Sequence, residues 1–165
     1  MQKIIPHLWF DQEAKEAAAF YASLFPQSEI KGTTTLHDTP SGTVDIVSVD
    51  LWGLAFTLIG AGPLFQFNPS VSFLVAGSTK EEISELWGKL SQGGSALMEL
   101  GEYPFSEKYG WVQDKYGLSW QIVPAVMDEM MKDKDKNGLA RVTETFLKMK
   151  KFDIEALKRA YRGKK

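Results

Sequence analysis

The most constraining feature of this sequence is a ten-residue pattern that occurs twice, in residues 50–59 and in residues 114–123. Both copies carry Asp, Gly and Leu at the same relative positions, place an aromatic residue at two further shared positions, and end in apolar residues. A repeat of this kind is typical of a duplicated supersecondary unit. Because a predicted strand and helix precede each copy, we expect the duplication to cover most of the chain.

The first unit is predicted to run strand, helix and three strands. Residues 3–10 form an apolar strand, Asp11 is suited to be the N-cap of a helix over residues 12–25, and Pro26 prevents that helix from continuing. Turn residues containing Gly and Pro then separate the three further strands, which are predicted at residues 28–36, 43–51 and 54–60.

The second unit repeats this order. A strand at residues 71–75 precedes a capping-box pattern from Ser78 to Glu81, which predicts the start of the second helix. The remaining strands are expected near residues 95–100, 106–114 and 118–123.

These elements predict an α+β fold of two tandem βαβββ modules that form curved mixed sheets, followed by a C-terminal helical tail. We place one domain at residues 1–124, with module 1 at 1–62 and module 2 at 69–124. Residues 125–165 are predicted to be a helical extension that packs on this domain or on a dimer partner.

The last strand of each module has two different faces. One face carries bulky apolar residues and is expected to lie under the helices, whereas the other is smaller and partly polar. A small, partly polar face is typical of a sheet that lines a cavity, so we expect the two sheets to form a cupped barrel.

Composition excludes several functional classes. The chain contains no cysteine, which rules out a thiolate nucleophile, a redox pair and a Cys-based zinc site. No apolar run approaches the roughly 20 residues that span a bilayer, so we predict a cytoplasmic protein without membrane contact. Residues 1–124 hold 7 Lys/Arg against 14 Asp/Glu, and the basic residues of the tail lie at helical spacing, so we expect no nucleic-acid partner.

The strand–helix–three-strand order is duplicated, the pair Phe20-Tyr21 lies late in the first helix, and an Asp–x–x–Gly turn precedes the last strand of each module. These features resemble the vicinal oxygen chelate superfamily of glyoxalases, dioxygenases and antibiotic-resistance proteins. Further segments are residues 5–11, 13–17, 20–21, 24–26 and Ser28 near the N-terminus, and Arg141-Val142, 149–154, Leu157 and Tyr161 in the tail. They resemble, more narrowly, the PhnB-like group of that superfamily, which often bears the label 3-demethylubiquinone-9 3-methyltransferase.

The resemblance implies a divalent metal ion held by three or four His or Glu side chains. The corresponding positions in this sequence are His7, Thr57, Ser70 or Ser72, and Gln121. Only His7 is a strong ligand, and a stable catalytic site normally needs about three, so we predict no catalytic metal and no other cofactor. His7 is then the best candidate for a catalytic residue, and it is open whether the protein is an enzyme.

Methyltransferase activity is doubtful on chemical grounds. The usual nucleotide-fold enzymes that use S-adenosylmethionine need a strand, a glycine-rich turn and a helix. The only candidate turn is residues 59–63, and the Pro and aromatic residues that follow it do not predict a helix.

The predicted function is the binding of a small, aromatic or hydrophobic molecule in the sheet cavity. Aromatic walls with a few neutral hydrogen-bonding groups suit such a ligand, although the same aromatic residues could simply fill a core or a dimer seam. The candidate ligand-binding residues are His7, Trp9, Thr57, Tyr103, Tyr109, Trp111, Gln113 and Gln121. A metal-dependent lyase, dioxygenase or transferase of the vicinal oxygen chelate type is the alternative.

The tail supplies a third hypothesis. Asp133, Asp135, Asn137 and Glu144 fit the spacing of a calcium-binding loop over residues 133–144, so the protein could be a calcium-responsive interaction protein; a plain helix–helix connection is the other interpretation. The helices of the tail carry apolar stripes that need a partner. We therefore predict a homodimer.

Overall fold

The computed structural model describes residues 2–103, 106–125, 159–160 and 162–163. It divides the chain into two units with a boundary between Asn68 and Pro69. The first unit contains β1 (His7–Phe10), α1 (Ala14–Leu24), β2 (Glu29–Thr39), β3 (Gly42–Leu51) and β4 (Leu54–Gly60). The second contains β5 (Ser72–Gly77), α2 (Lys80–Ser91), β6 (Ser95–Tyr103), β7 (Ser106–Gln113) and β8 (Ser119–Pro124).

The two units have the same sheet topology. The strand order is β1-β4-β3-β2 in the first sheet and β5-β8-β7-β6 in the second. In each sheet the first and last strands of the unit pair in parallel, and the other neighbours pair antiparallel. The prediction of an α+β fold with two tandem βαβββ modules is therefore confirmed. That the two sheets enclose a common cavity stays a prediction.

Each helix packs on one face of its own sheet, and the period-2 pattern of the strands decides which face. α1 lies on β3 and β4, and α2 lies on β7 and β8. Phe56, Leu58, Trp120 and Ile122 are buried, as the alternation predicts, whereas Leu54 is 41% exposed at the first position of β4. We call the opposite face of each sheet, which the helix does not cover, its far face.

Both helices begin later than the sequence patterns predict. Asp11 is not an N-cap: α1 begins at Ala14, and no side chain caps it. The carbonyl of Asp11 instead accepts the N–H of Gly62 at 2.7 Å, which ties the end of β1 to the segment after β4.

For α2 the cap is shifted by one residue. The N-cap is Thr79, whose hydroxyl accepts the N–H of Glu82 at 3.1 Å, and the carboxylate of Glu82 accepts the N–H of Ser78 at 2.7 Å. The chemistry of a capping box is present, but Thr79 and Glu82 provide it in place of Ser78 and Glu81.

The repeated Asp–x–x–Gly segments form the turns before β4 and β8. Gly53 and Gly117 adopt φ angles of 88° and 85°, a left-handed conformation that glycine reaches without steric cost. In the first turn the carboxylate of Asp50 accepts the N–H of Gly53 at 2.7 Å. In the second turn Asp114 is 3% exposed, and its carboxylate makes a larger set of bonds, to two backbone N–H groups and an indole.

None of the helices in the described part of the chain is long and apolar enough to cross a membrane. The predicted calcium loop, at residues 133–144, lies outside the described residues, as does nearly all of the predicted tail at 125–165. The domain limits proposed from the sequence stay predictions.

Candidate functional site

The far face of the second sheet carries most of the predicted ligand-binding residues. Trp111 pairs with Gln121 across β7 and β8, and Gln113 pairs with Ser119. Gln121 pairs in turn with Leu74 of β5. Because residues paired in register lie side by side on one face of a sheet, these side chains form one surface.

A chain of hydrogen bonds runs across this surface. The hydroxyl of Tyr109 donates to Oε1 of Gln121 at 2.9 Å, and Nε2 of Gln121 donates to the hydroxyl of Ser72 at 2.6 Å. Both ends of the Gln121 amide are therefore bonded within the sheet. The chain links β7, β8 and β5 through three neutral groups.

An aromatic pair borders this chain. Tyr103 and Tyr109 meet edge to face, with ring centroids 5.7 Å apart, and the hydroxyl of Tyr103 donates to the carbonyl of Glu99 at 2.8 Å. Burial, and secondarily the neighbouring Tyr103, raise the pKa of Tyr109, so its phenol keeps its proton at neutral pH. Tyr109 is thus a hydrogen-bond donor on this face and not a base.

There is room next to this pair at Gly101, which lies opposite Tyr109 in the β6–β7 pairing. A Cβ atom added at Gly101 would approach no atom of the described residues closer than 3.9 Å, and one of the two atoms at that distance belongs to the ring of Tyr103. A larger side chain at position 101 would extend over the surface that the two tyrosines border.

Trp111 and Gln113 differ in their bonding. Nε1 of Trp111 is buried, and no group in the described part of the chain accepts its proton. An indole N–H can only donate, and a buried donor without an acceptor costs about 1–3 kcal/mol. Gln113, in contrast, donates to the carbonyl of Gly117 at 3.1 Å and so supports the turn before β8.

The first sheet places His7, Trp9 and Thr57 on its far face. His7 pairs with Thr57 in the parallel β1–β4 ladder, and its side chain is exposed. Trp9 has a structural contact that its sequence position did not reveal: its indole donates to the carbonyl of Gly62 at 2.8 Å, and its ring meets Phe65 edge to face at 5.1 Å.

The glycine-rich segment after β4 does not have the geometry of a nucleotide-binding turn. The N–H groups of Ala61 and Gly62 donate to the carbonyls of Phe10 and Asp11, and the next helix begins only at Lys80. A phosphate- or nucleotide-binding turn needs such N–H groups to point at the ligand from the start of a helix.

The metal site implied by the superfamily does not fit the residues present. Among the described residues, no three His, Asp or Glu side chains are grouped so that they could hold a metal ion. At the corresponding positions of the second sheet, the Gln121 amide and the Ser72 hydroxyl are bonded to each other at 2.6 Å. A neutral amide and a hydroxyl are weak ligands for a transition metal.

Comparison with known proteins assigns the chain to a protein family. The 3-demethylubiquinone-9 3-methyltransferase family matches residues 2–123. The chain belongs to this family. The structure of a PhnB protein from Bacillus cereus that carries the same methyltransferase designation is 41% identical, with a TM-score of 0.70, and the alignment covers 75% of this chain and 100% of that one. The PhnB-like assignment made from the sequence is confirmed.

More distant structures share the fold. A protein from Pseudomonas aeruginosa is 20% identical with a TM-score of 0.64, covering 75% of this chain and 98% of the other. The fosfomycin resistance protein FosX from Listeria monocytogenes is 14% identical with a TM-score of 0.53, covering 78% of this chain and 98% of the other. No curated protein matches the sequence.

The structure also identifies residues that the sequence had assigned differently or not at all. Ser72 had been considered only as a metal-ligand position, yet it belongs to the hydrogen-bond chain with Gln121. Gly101 and Phe65 had no predicted role in the site. In the structure Gly101 pairs with Tyr109 across β6 and β7, and the ring of Phe65 contacts the ring of Trp9. No local sequence signal distinguishes these three residues.

Proposed function

We propose that this protein binds a small, aromatic or hydrophobic molecule on the far face of its second sheet, without a catalytic metal ion. One observation carries the proposal: the buried N–H of Trp111 has no acceptor among the described residues and lies beside the Tyr109–Gln121–Ser72 chain. A ligand that accepts this proton would provide a hydrogen bond that the described residues leave unmade.

The surroundings of Trp111 support the same class of ligand. Tyr103 and Tyr109 offer aromatic surface, and Gly101 beside them leaves space for a flat molecule. Aromatic walls with a few fixed polar groups are the usual composition of a small-molecule site. The ligand-binding roles of His7, Trp9 and Thr57, which lie on the first sheet, stay predictions.

Gly101→Val is expected to weaken ligand binding at least tenfold, which corresponds to about 1.4 kcal/mol, because the added side chain occupies the space beside the tyrosine pair. The measurement is a thermal-shift screen of aromatic metabolites, followed by titration of each hit against both proteins. Gly32→Ala is the matched control, since a Cβ atom there meets nothing within 4 Å and the position is on the first sheet. A screen without hits, or hits that Gly101→Val leaves unchanged, would refute the proposed function.

The predicted role of His7 is tested by His7→Ala, which should lower the affinity for a ligand that contacts the first sheet while leaving the melting temperature within about 2 °C of the wild type, because an exposed side chain contributes little to stability. Circular dichroism melting and the ligand titrations measure the two effects separately. A large loss of stability would show instead that His7 is part of the core.

Membership of a superfamily of enzymes favours the alternative, a metal-dependent lyase, dioxygenase or transferase. If that alternative is right, zinc, nickel or manganese should bind stoichiometrically and raise the melting temperature, and His7→Ala should abolish the rise. We expect no rise, since the Gln121 amide and the Ser72 hydroxyl are already bonded to each other. Stoichiometric metal in protein purified without chelator would contradict this expectation.

The homodimer, the cytoplasmic location and the calcium-responsive loop stay predictions. The homodimer and the calcium-responsive loop both depend on the tail, which is almost entirely outside the described residues.

A further inference from the structure

We infer that the ligand of the second sheet is an uncharged molecule that presents a carbonyl-type acceptor oxygen to Nε1 of Trp111. This inference rests on the proposed function and goes further, because it names the class of compound and the residue that selects it.

The neutral groups of this surface favour an uncharged ligand. The described side chains that make up the hydrogen-bond chain and its border are all neutral: Ser72, Tyr103, Tyr109, Trp111 and Gln121. An ion placed among them would lose hydration without gaining an opposite charge.

The charged side chains of the second unit whose bonds are known are used elsewhere. Lys108 bonds to the carbonyl of Lys80 and to Ser84 on α2, on the other side of the sheet. Asp114 bonds to the indole of Trp120, and Lys89 to Glu85. These groups are therefore not available to neutralise a ligand on the far face.

The direction of the hydrogen bonds defines what the ligand must offer. Trp111 can only donate, so its partner must be an acceptor. The proton of Tyr109 is given to Gln121, and the Gln121 amide gives its own proton to Ser72. Ser72 therefore accepts from Gln121, and its hydroxyl proton has no acceptor among the described residues, so it is a second donor on the same surface.

Three compounds of one shape test the inference: 2-acetylnaphthalene, its isopropenyl analogue without the acceptor oxygen, and 2-naphthoate, which is anionic at neutral pH. We expect the ketone to bind the wild-type protein at least fivefold more tightly than the alkene, in keeping with one hydrogen bond to a buried donor, and the carboxylate to bind most weakly. Saturation-transfer NMR or calorimetric titration measures the three affinities.

Trp111→Phe keeps an aromatic ring and removes the N–H. It should lower the affinity for the ketone to that for the alkene and leave the alkene nearly unchanged, an effect that a merely structural role for Trp111 would not produce. The matched control is Trp87→Phe, because Trp87 packs on Gly110 from the helix side of the same sheet and should leave the ratio of the two affinities unaltered.

The outcomes separate the two proposals. Any one of four results would overturn the inference. The wild type could bind ketone and alkene equally, or prefer the carboxylate. The ratio of ketone to alkene affinity could survive Trp111→Phe, or the ketone could fail to bind at millimolar concentration. If screened metabolites still bind and Gly101→Val still blocks them, the proposed function stands. If nothing binds, the proposed function itself has failed.

Discussion

Replacing Asp114 with alanine is expected to lower the free energy of unfolding by about 3–5 kcal/mol, the largest effect of any single substitution considered for this protein. One carboxylate oxygen accepts the N–H groups of Tyr116 and Leu118 at 2.9 and 3.1 Å, and the other accepts the indole N–H of Trp120 at 2.8 Å. Trp120 is 2% exposed, so its N–H cannot turn to water when the carboxylate is removed. Buried donors left without an acceptor carry the full cost of their desolvation.

The duplication supplies the control for this prediction. Asp50 occupies the same position in the first module, but the bond found for its carboxylate is a single one, to Gly53. Asp50→Ala should therefore cost only about 1 kcal/mol in urea unfolding. Equal losses for the two variants would contradict the interpretation that the additional bonds to Leu118 and Trp120, and not the turn itself, make Asp114 important.

An isosteric variant tests whether the bond to Trp120 accounts for the loss of stability. Asp114→Asn keeps one oxygen for the two backbone N–H groups but can place an amide N–H₂ against the indole of Trp120. We expect a loss intermediate between those of the alanine variant and the wild type, together with a changed fluorescence of Trp120.

Gly94→Ala is expected to destabilise the protein by about 3 kcal/mol, because a side chain at this position has no room. A Cβ atom would lie 2.1 Å from the carbonyl oxygen of Gln113 and 3.0 Å from backbone atoms of Asp114. These are backbone atoms, which cannot move aside as the end of a flexible side chain could. Relief of the overlap would require β6 to separate from the end of β7, where the Asp114 turn begins.

Gly88→Ala provides a control of opposite sign within the same unit. Gly88 is exposed inside α2, and a Cβ atom there meets no atom of the described residues within 4 Å. Alanine is a better helix former than glycine, so this variant should stabilise the protein by about 1 kcal/mol. Urea unfolding of both variants measures the difference; a Gly94→Ala protein as stable as the wild type would show that the approach of β6 to β7 is not as close as described.

Much of the fold could be predicted from local patterns. The alternation of bulky and small residues in residues 54–60 and 118–123 identified the helix-covered faces, and the repeated Asp–x–x–Gly segment identified two equivalent turns. The starts of the helices were predicted less well. Asp11 suited an N-cap by type, but its backbone bonds to Gly62, a contact between segments far apart in the chain.

The sequence named candidate residues for the site but not the contacts among them. Period-2 alternation separated Gln121 from the bulky face of its strand, yet it could not show that Gln121 pairs with Trp111 and bonds to Tyr109 and Ser72, or that the indole of Trp111 has no acceptor among the described residues. It also could not show that the indole of Trp9 holds the segment at Gly62.

The sequence alone showed the duplication, the family resemblance and the two-faced strands, because each depends on the order of residue types along the chain and on the two-residue period of a strand. The hydrogen-bond partners were not, since Ser72 and Gln121 are 49 positions apart and meet only when β5 pairs with β8 in one particular register. A shift of that register by one residue would turn every side chain of β5 to the opposite face. The tertiary structure therefore decided which polar groups are already bonded to each other, and that the indole N–H of Trp111 has no acceptor among the described residues.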